Sequence, residues 1–103
     1  MKKIMLVCTA GMSTSLLVNK MQDYAEKEGI EVEIFAESEG EATKYYDEID
    51  CLLLGPQVKY LKSKIKKAID RPEVVVEVIN TVNYGTMNGK KVLDNALDML
   101  GER

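Results

Sequence analysis

The chain of 103 residues contains no histidine and no tryptophan, and it has only two cysteines. Without an imidazole there is no histidine base and no ordinary catalytic zinc site. The 14 Lys and Arg residues do not outnumber the 17 Asp and Glu residues, so the net charge is −3. No basic cluster is interleaved with aromatic residues, which argues against nucleic-acid binding. We expect no metal, no cofactor and no nucleic-acid partner.

Long apolar runs are also missing. Lys2 and Lys3 precede an apolar run of only five residues before Thr9, which is too short for a signal peptide, and no stretch is long enough to span a bilayer. We therefore expect a cytoplasmic protein, whose two cysteines stay as thiols in a reducing compartment. The length predicts a single domain over residues 1–103.

One stretch combines a thiol with small and hydroxyl residues. The apolar run Ile4–Val7 leads into Cys8, and a helical pattern of apolar residues follows. The intervening residues are Thr9, Ala10, Gly11, Met12, Ser13, Thr14 and Ser15. A helix start attracts anions, and Gly11 tolerates a positive φ that helps amides converge. The pattern predicts a phosphate cradle with a nucleophile at its rim, although a cysteine near a strand end is more often a core residue.

Strand-like and helix-like segments alternate along the whole chain. Strands are predicted at 3–7, 31–36, 51–54 and 74–79, and helices at 13–28, from Ser38 or Glu39, after the Gly55-Pro56-Gln57 turn, and after a polar loop at 80–89. This alternation predicts an α/β fold with parallel strands and helices on both faces. Strand 2 alternates charged and apolar residues and is expected at an edge, which gives the order 2-1-3-4.

In such a sheet, ligands bind at the carboxyl ends of the strands, where the strand order reverses. The Cys8 segment is therefore expected to meet Gln57 and Tyr84, both possible accessory residues of the site. For Tyr84, packing as an ordinary aromatic residue of the loop is an equally good interpretation. Cys51 lies at the start of its strand, so we expect it at the opposite end of the sheet from Cys8, as a core residue.

Three segments together resemble the IIB components of the lactose/cellobiose family of the bacterial phosphotransferase system. The segments are CTAGMSTSLLV at 8–18, LLGPQV at 53–58 with Tyr60, and VEVI at 76–79 followed by Tyr84-Gly85. The resemblance covers nearly the whole chain. It implies a four-stranded parallel sheet in a cytoplasmic domain that associates with a membrane permease.

The resemblance also implies a function. Cys8 would form a phosphocysteine by accepting a phosphoryl group from a histidine of the IIA component. It would then pass the group to a sugar bound by the IIC permease, with cellobiose or a related β-disaccharide as the expected substrate. Residues Thr9 to Ser15 would hold the phosphate. No heptad or long apolar edge argues for self-association, so we expect a monomer when the protein is alone.

A second hypothesis is a low-molecular-weight tyrosine phosphatase or a related arsenate reductase, whose loop is similar. Those enzymes need an arginine six positions after the cysteine, where this chain has Thr14, and a general acid. No Asp or Glu lies between Glu77 and Asp94, so both groups are missing. A third hypothesis, a module that binds a phosphorylated ligand without chemistry, leaves the placement of Cys8 unexplained.

Overall fold

The first strand is a continuous apolar run, as is usual for the central strands of parallel sheets. Its residues Ile4, Met5, Leu6 and Val7 are all fully buried. The structure is a computed structural model, and it describes residues 1–9 and 12–102, with the backbone alone at Met12 and Ser13. Its strands are β1 (Lys2–Cys8), β2 (Val32–Ser38), β3 (Cys51–Leu54) and β4 (Val75–Val78). Its α-helices are α1 (Met12–Glu28), α2 (Glu39–Ala42), α3 (Lys62–Ile69), α4 (Thr81–Gly85) and α5 (Gly89–Met99).

The four strands form one parallel sheet in the order β2-β1-β3-β4, which confirms the predicted order. In the register, Ile4 lies opposite Cys51 and Val7 opposite Leu54, while Cys8 pairs with Ser38 on the other side. The strand order reverses between β1 and β3. The carboxyl ends of these two strands therefore border the crevice in which ligands of such sheets bind.

Each face of the sheet has its own apolar core, so helices cover both faces as predicted. Helices α1 and α5 pack on one face. That core includes Leu6, Leu17, Met21, Leu53, Leu93 and Leu97. The other core lies beneath α3 and the segments next to it, and includes Met5, Val7, Leu52, Val58, Leu61 and Ile65. Burial on both faces explains why β1 and β3 are continuous apolar runs.

Helices α1 and α5 approach each other closely at Gly89. A Cβ atom at this position would lie 2.6 Å from the backbone carbonyl carbon of Lys20 and 2.6 Å from the backbone nitrogen of Met21. Any side chain at residue 89 would therefore collide with the main chain of α1. About one turn further along the same two helices, the Tyr24 hydroxyl donates a hydrogen bond of 2.9 Å to Asp94 Oδ1. These two contacts fix α1, whose first turn follows Cys8.

The structure corrects several predicted details. The stretch at 80–89, predicted as a polar loop, contains α4, because the Asn80 side chain accepts from the Val82 and Asn83 amides and caps the helix. The helix after β3 begins with a 3-10 segment at Pro56–Leu61. Ala68, whose helical spacing from Leu61 and Ile65 predicts an inward position, is exposed. Gly29 does end α1, with a φ of 67°, as expected for a helix C-terminus.

Across residues 1–9 and 12–102 we find no helix whose length and apolar character would carry it through a bilayer.

Candidate functional site

Cys8 is the last residue of β1 and lies at the carboxyl edge of the sheet. The chain that follows β3 passes directly beside it, because the Gly55 amide donates a 3.0 Å hydrogen bond to the Val7 carbonyl. The Cys8 side chain is only 4% exposed. The strand-end position predicted from the sequence is confirmed, and the thiol is enclosed by neighbouring segments.

Thr14, in the first turn of α1, is the partner of the Cys8 thiol. Its Oγ1 atom lies 3.0 Å from Cys8 Sγ, and either atom can donate in this contact. Within the described part of the chain, Thr14 is the one fully buried polar residue. A buried hydroxyl needs a hydrogen-bond partner, and this one is turned to the sulfur. The two residues, six positions apart, thus form the centre of the site.

The rest of the predicted cradle is described only in part. Thr9 and Ser15 are exposed, and Met12 and Ser13 form the beginning of α1. Ala10 and Gly11, and the side chains of Met12 and Ser13, lie outside the described residues. The first turn of α1 carries no acidic residue, so no carboxylate there opposes the partial positive charge of the helix start.

Gln57 and Tyr84, the two predicted accessory residues, contact each other. Gln57 Nε2 donates a 3.2 Å hydrogen bond to the Tyr84 hydroxyl oxygen. Tyr84 is buried, whereas Gln57 is exposed. The 3-10 segment after β3 supplies Gln57 and helix α4 supplies Tyr84. The segments that follow β3 and β4 are therefore joined at the same edge of the sheet as Cys8.

Gly55 also lies close to Cys8, although it was not predicted to be a residue of the site. A Cβ atom on Gly55 would lie 3.6 Å from Cys8 Cβ and 2.6 Å from Gln57 Oε1. The Gly55 backbone therefore lies close to the side chains of both Cys8 and Gln57. The available signal was a glycine directly after a buried strand, which often marks a close approach to the backbone.

Cys51 lies at the opposite end of the sheet, as predicted, and it is a core residue with no exposed surface. Burial raises the pKa of its thiol to about 12, and the negative charges of Asp50 and Glu77 add to the effect. A thiol with such a high pKa stays protonated and is a poor nucleophile. The two cysteines therefore differ in position and in surroundings.

Three exposed apolar side chains lie on the segments that follow β1, β3 and β4, and the sequence pattern did not group them. They are Leu16, Tyr60 and Val82. Leu16 lies in the helix after β1, Tyr60 in the segment after β3, and Val82 in α4 after β4. The signal that could have found them is their common position, a few residues beyond a strand end. We call these three residues the apolar rim.

The chemistry available at this site is that of a sulfur nucleophile beside a hydroxyl and a helix start. No Lys or Arg occurs between residues 4 and 19, so the segment around Cys8 supplies no cationic side chain. Thr14 occupies the position of the arginine that the phosphatase hypothesis requires, and it is fully buried against the sulfur. The arrangement fits a residue that holds a phosphoryl group and passes it on.

The chain matches a known protein family and resembles several known proteins. Residues 3–95 match the family model described as "PTS system, Lactose/Cellobiose specific IIB subunit". The chain is 45% identical over 100 residues to the oligo-β-mannoside-specific EIIB component of Bacillus subtilis, covering 97% of each chain. It is 42% identical over 104 residues to the galactose-specific and cellobiose-specific EIIB components of Lactococcus lactis, covering 96% of each chain.

Solved structures give the same result for the fold. The cellobiose-specific IIB component of Borrelia burgdorferi is 40% identical and superposes with a TM-score of 0.79, over 97% of this chain and 92% of that one. The lactose-specific IIB domain of Streptococcus pneumoniae superposes with a TM-score of 0.85 at 18% identity, over 95% of this chain and 96% of that one. At that identity the second likeness concerns the fold alone.

Proposed function

Since the chain belongs to the lactose/cellobiose-specific IIB family of the phosphotransferase system, we propose that Cys8 is the residue that carries its phosphoryl group. Membership makes the chain a phosphoryl carrier and a component of a sugar phosphotransferase. The observation that supports Cys8 is its contact with Thr14, 3.0 Å from sulfur to hydroxyl, at the carboxyl edge of the sheet. Cys51, the other thiol, is enclosed in the core.

In the first step, the Cys8 thiolate attacks the phosphorus of a phosphohistidine on the IIA component. A sulfur–phosphorus bond forms while the phosphorus–nitrogen bond breaks. The nitrogen keeps the electron pair of the broken bond and takes up a proton, and the cysteine proton is released to solvent. The Thr14 hydroxyl, which lies beside Sγ, orients the sulfur for attack and can donate a hydrogen bond to it.

In the second step, a hydroxyl oxygen of the sugar attacks the phosphorus. An oxygen–phosphorus bond forms, the sulfur–phosphorus bond breaks, and the sulfur leaves as a thiolate. The hydroxyl proton passes to a base of the permease or to solvent. We propose a β-linked disaccharide of the cellobiose class, bound by the IIC permease, as the acceptor. The names of the relatives include oligo-β-mannoside, galactose and cellobiose, so the test needs a panel of all three sugar classes.

The cradle holds the phosphate with backbone amides, with hydroxyls and with the partial charge of the α1 start. The proposed phosphate-binding residues are Thr9, Ala10, Gly11, Met12, Ser13, Thr14 and Ser15. Phosphoryl transfer depends on alignment and on stabilising charge at the equatorial oxygens. A cradle without lysine or arginine stabilises the phosphate less strongly than an arginine clamp does. A carrier needs this weaker stabilisation of the phosphate because it must release the group to the next acceptor.

The apolar rim is the proposed docking surface for both partners. Donor and acceptor must reach the same sulfur, so their footprints overlap around Leu16, Tyr60 and Val82, and around Met12 and Gln57. A few well-packed residues near the centre of an interface contribute most of its binding energy, and tyrosine is common among them. IIA and the permease should therefore compete for this protein. We propose that it acts in the cytoplasm, as a monomer when alone, and associates with the membrane through the permease.

The decisive experiment is phosphorylation by a phosphorylated IIA donor, read by intact mass and peptide mapping. We expect the mass of one phosphoryl group, located on Cys8, and transfer to a sugar once membranes with the cognate permease are added. A phosphoryl group on another residue, or none, would overturn the assignment. Alanine at Tyr60 or Val82 should weaken donor binding, whereas Met99→Ala is the matched control, since Met99 is an exposed apolar residue outside the rim.

A further inference from the structure

The segment after β3 has one sign of charge on its outer side. Residues 51–69 contain five lysines and no Asp or Glu, although the whole chain has a net charge of −3. Lys62 is half-buried, and the other four lysines are exposed. We call these five residues the lysine face: Lys59, Lys62, Lys64, Lys66 and Lys67.

Helical spacing explains why most of these lysines point outward together. Lys59, Lys62 and Lys66 are three and four residues apart, so they lie in one row along the 3-10 segment and α3. The opposite side of the same segment packs into the core through four buried residues: Val58, Leu61, Ile65 and Ile69. The lysine face is therefore an outer surface about 12 Å long.

Few carboxylates oppose this charge. Lys62 forms an ion pair with Glu77 at 2.9 Å, and Lys64 forms one with Glu39 at 3.7 Å. Within residues 1–9 and 12–102, the members of the lysine face that form no ion pair are Lys59, Lys66 and Lys67. Helices α1 and α5, which cover the other face of the sheet, carry four lysines among five carboxylates. Unopposed positive charge is thus concentrated on one side of the molecule.

We propose that the lysine face binds the anionic lipid headgroups of the membrane that contains the permease. The choice of a membrane rests on the proposed function, in which a sugar bound by a permease accepts the phosphoryl group. Lys59 directly precedes Tyr60 of the apolar rim, so the lysine face adjoins the surface that docks on the permease. Docking at the rim brings the lysines next to the bilayer, whose cytoplasmic surface is negative.

Lysine suits a lipid surface better than a single specific partner. Residues 51–69 contain no arginine, whose planar guanidinium binds carboxylate or phosphate in a fixed geometry, whereas a lysine ammonium is a point charge on a flexible stem. Headgroups in a bilayer have no fixed arrangement, so point charges match them. The net charge of −3 does not prevent binding, because charges more than about 10 Å apart are screened at 0.1 M salt, and the molecule measures 34 × 25 × 20 Å.

The test is sedimentation of the full-length chain with vesicles, in the absence of a phosphoryl donor. At low salt, the chain should bind vesicles made of equal parts phosphatidylglycerol and phosphatidylcholine, and it should not bind vesicles of phosphatidylcholine alone. Salt at about 1 M should release it, since screening then acts within about 3 Å. The triple variant Lys59→Gln, Lys66→Gln, Lys67→Gln should bind about a hundredfold more weakly, because each lysine near an anionic surface strengthens binding about fivefold.

The matched control is the triple variant Lys20→Gln, Lys90→Gln, Lys91→Gln. These exposed lysines lie on α1 and α5 and form no ion pair within the described residues. The control therefore loses the same three charges from the other side of the molecule, and it should bind within about twofold of the unchanged protein. Thermal unfolding shows whether each variant is folded. Equal weakening in the two triple variants would overturn the proposal, because net charge alone would then explain the binding.

Sugar phosphorylation distinguishes lipids from protein partners. With the cognate permease in its membrane, the lysine-face triple variant should need a higher concentration for half of the maximal rate. With the permease in a neutral detergent, it should match the unchanged protein. A difference that persists in detergent would show that the lysines contact the permease itself. Weaker binding to phosphorylated IIA in solution would show that they contact the donor. Either result would overturn the assignment to lipid.

The outcomes separate this proposal from the proposed function. Vesicle binding needs no phosphoryl group, so it is measured independently of Cys8. If Cys8 is not phosphorylated but the chain binds anionic vesicles through the lysine face, the proposed function is wrong and lipid binding stands. If Cys8 is phosphorylated and the chain does not bind anionic vesicles at low salt, only the role of the lysine face is wrong.

Discussion

The two ends of the sheet each hold a buried cysteine, and the two thiols have different surroundings. Cys8 is 4% exposed and Cys51 not at all, so exposure alone barely separates them. Their neighbours differ much more. Cys8 contacts the Thr14 hydroxyl at the beginning of a helix, whereas Cys51 lies within the apolar core near the carboxylates of Asp50 and Glu77. The position along a parallel strand therefore decides what a thiol can do.

The largest expected difference between the two cysteines is in accepting a phosphoryl group. Cys8→Ser should abolish transfer from phosphorylated IIA, because a neutral serine hydroxyl is a far weaker nucleophile than a thiolate. Cys51→Ala should transfer at the unchanged rate and lose about 1–2 kcal/mol of stability for the small cavity it leaves. Intact mass after incubation with the donor measures the first effect, and denaturant unfolding the second. Phosphorylation that survives in Cys8→Ser would show that another residue carries the group.

The second largest expected difference between the two thiols is in their rates of alkylation. At pH 8, a thiol with a pKa of about 12 is ionised in only about one molecule in ten thousand. Iodoacetamide should therefore modify Cys8 at least about a hundredfold faster than Cys51 in the folded protein. Peptide mapping against time measures both rates, and unfolding in guanidinium should make them similar. Faster modification of Cys51 in the folded state would contradict the assignment of the two environments.

The Thr14 contact should have a smaller effect on transfer. Thr14→Val keeps the shape of this fully buried side chain and removes its hydroxyl, so we expect transfer to Cys8 to slow about ten- to a hundredfold, in the lower range for the loss of a donor at a reacting group. Thr14→Ser restores a hydroxyl and should recover most of the rate. Single-turnover transfer measures both. Equal losses in the two variants would mean that Thr14 acts by packing and not through its hydroxyl.

The smallest effect concerns stability against pH. The Cys51 thiol has its pKa raised from 9.0 to about 12 in the folded protein, so above pH 9 the unfolded chain releases a proton that the folded chain keeps. The stability that this thiol contributes is present below pH 9 and is lost as the pH rises towards 12. At pH 10 the loss is about 1.4 kcal/mol.

Comparison with Cys51→Ala isolates this loss from the titration of lysines and tyrosines. The unchanged protein should lose about 1.4 kcal/mol more than the variant between pH 8 and pH 10, measured by urea unfolding. Parallel pH profiles in the two proteins would show that the folded-state pKa of Cys51 is not raised.

Much of the fold could be predicted because its signals are local. The apolar run at 51–54 predicted a strand buried on both faces, and the one-sided pattern of β2 predicted an edge, so the order followed from topology rules. Helix α4 was missed because its sequence, Thr81–Gly85, is polar and short. Its start depends on the Asn80 cap, and an asparagine serves equally well in a turn.

The residues of the site could largely be predicted from the sequence, but most of the atomic contacts between them could not. The Cys8 segment could be recognised as a cradle from its residues alone. The approach of Gly55 to Cys8 and the grouping of the apolar rim join segments that follow different strands, and the contact of the Thr14 hydroxyl with the sulfur depends on how the Cys8 segment itself turns. Such contacts depend on the register of the sheet and on side-chain rotamers, which residue patterns do not determine.

The glycine contact between the two long helices has a mechanical consequence for the sulfur. At Gly89 the main chain of α1 rests against α5 with no side chain between them. The contact lies at Lys20, six residues and thus about 9 Å along the helix from Thr14. A side chain at residue 89 would push α1 away from α5 at this point and change the tilt of the helix. Although residue 89 contacts α1 near the middle of that helix and not at Thr14, we expect a side chain there to change the distance between the Thr14 hydroxyl and the Cys8 thiol.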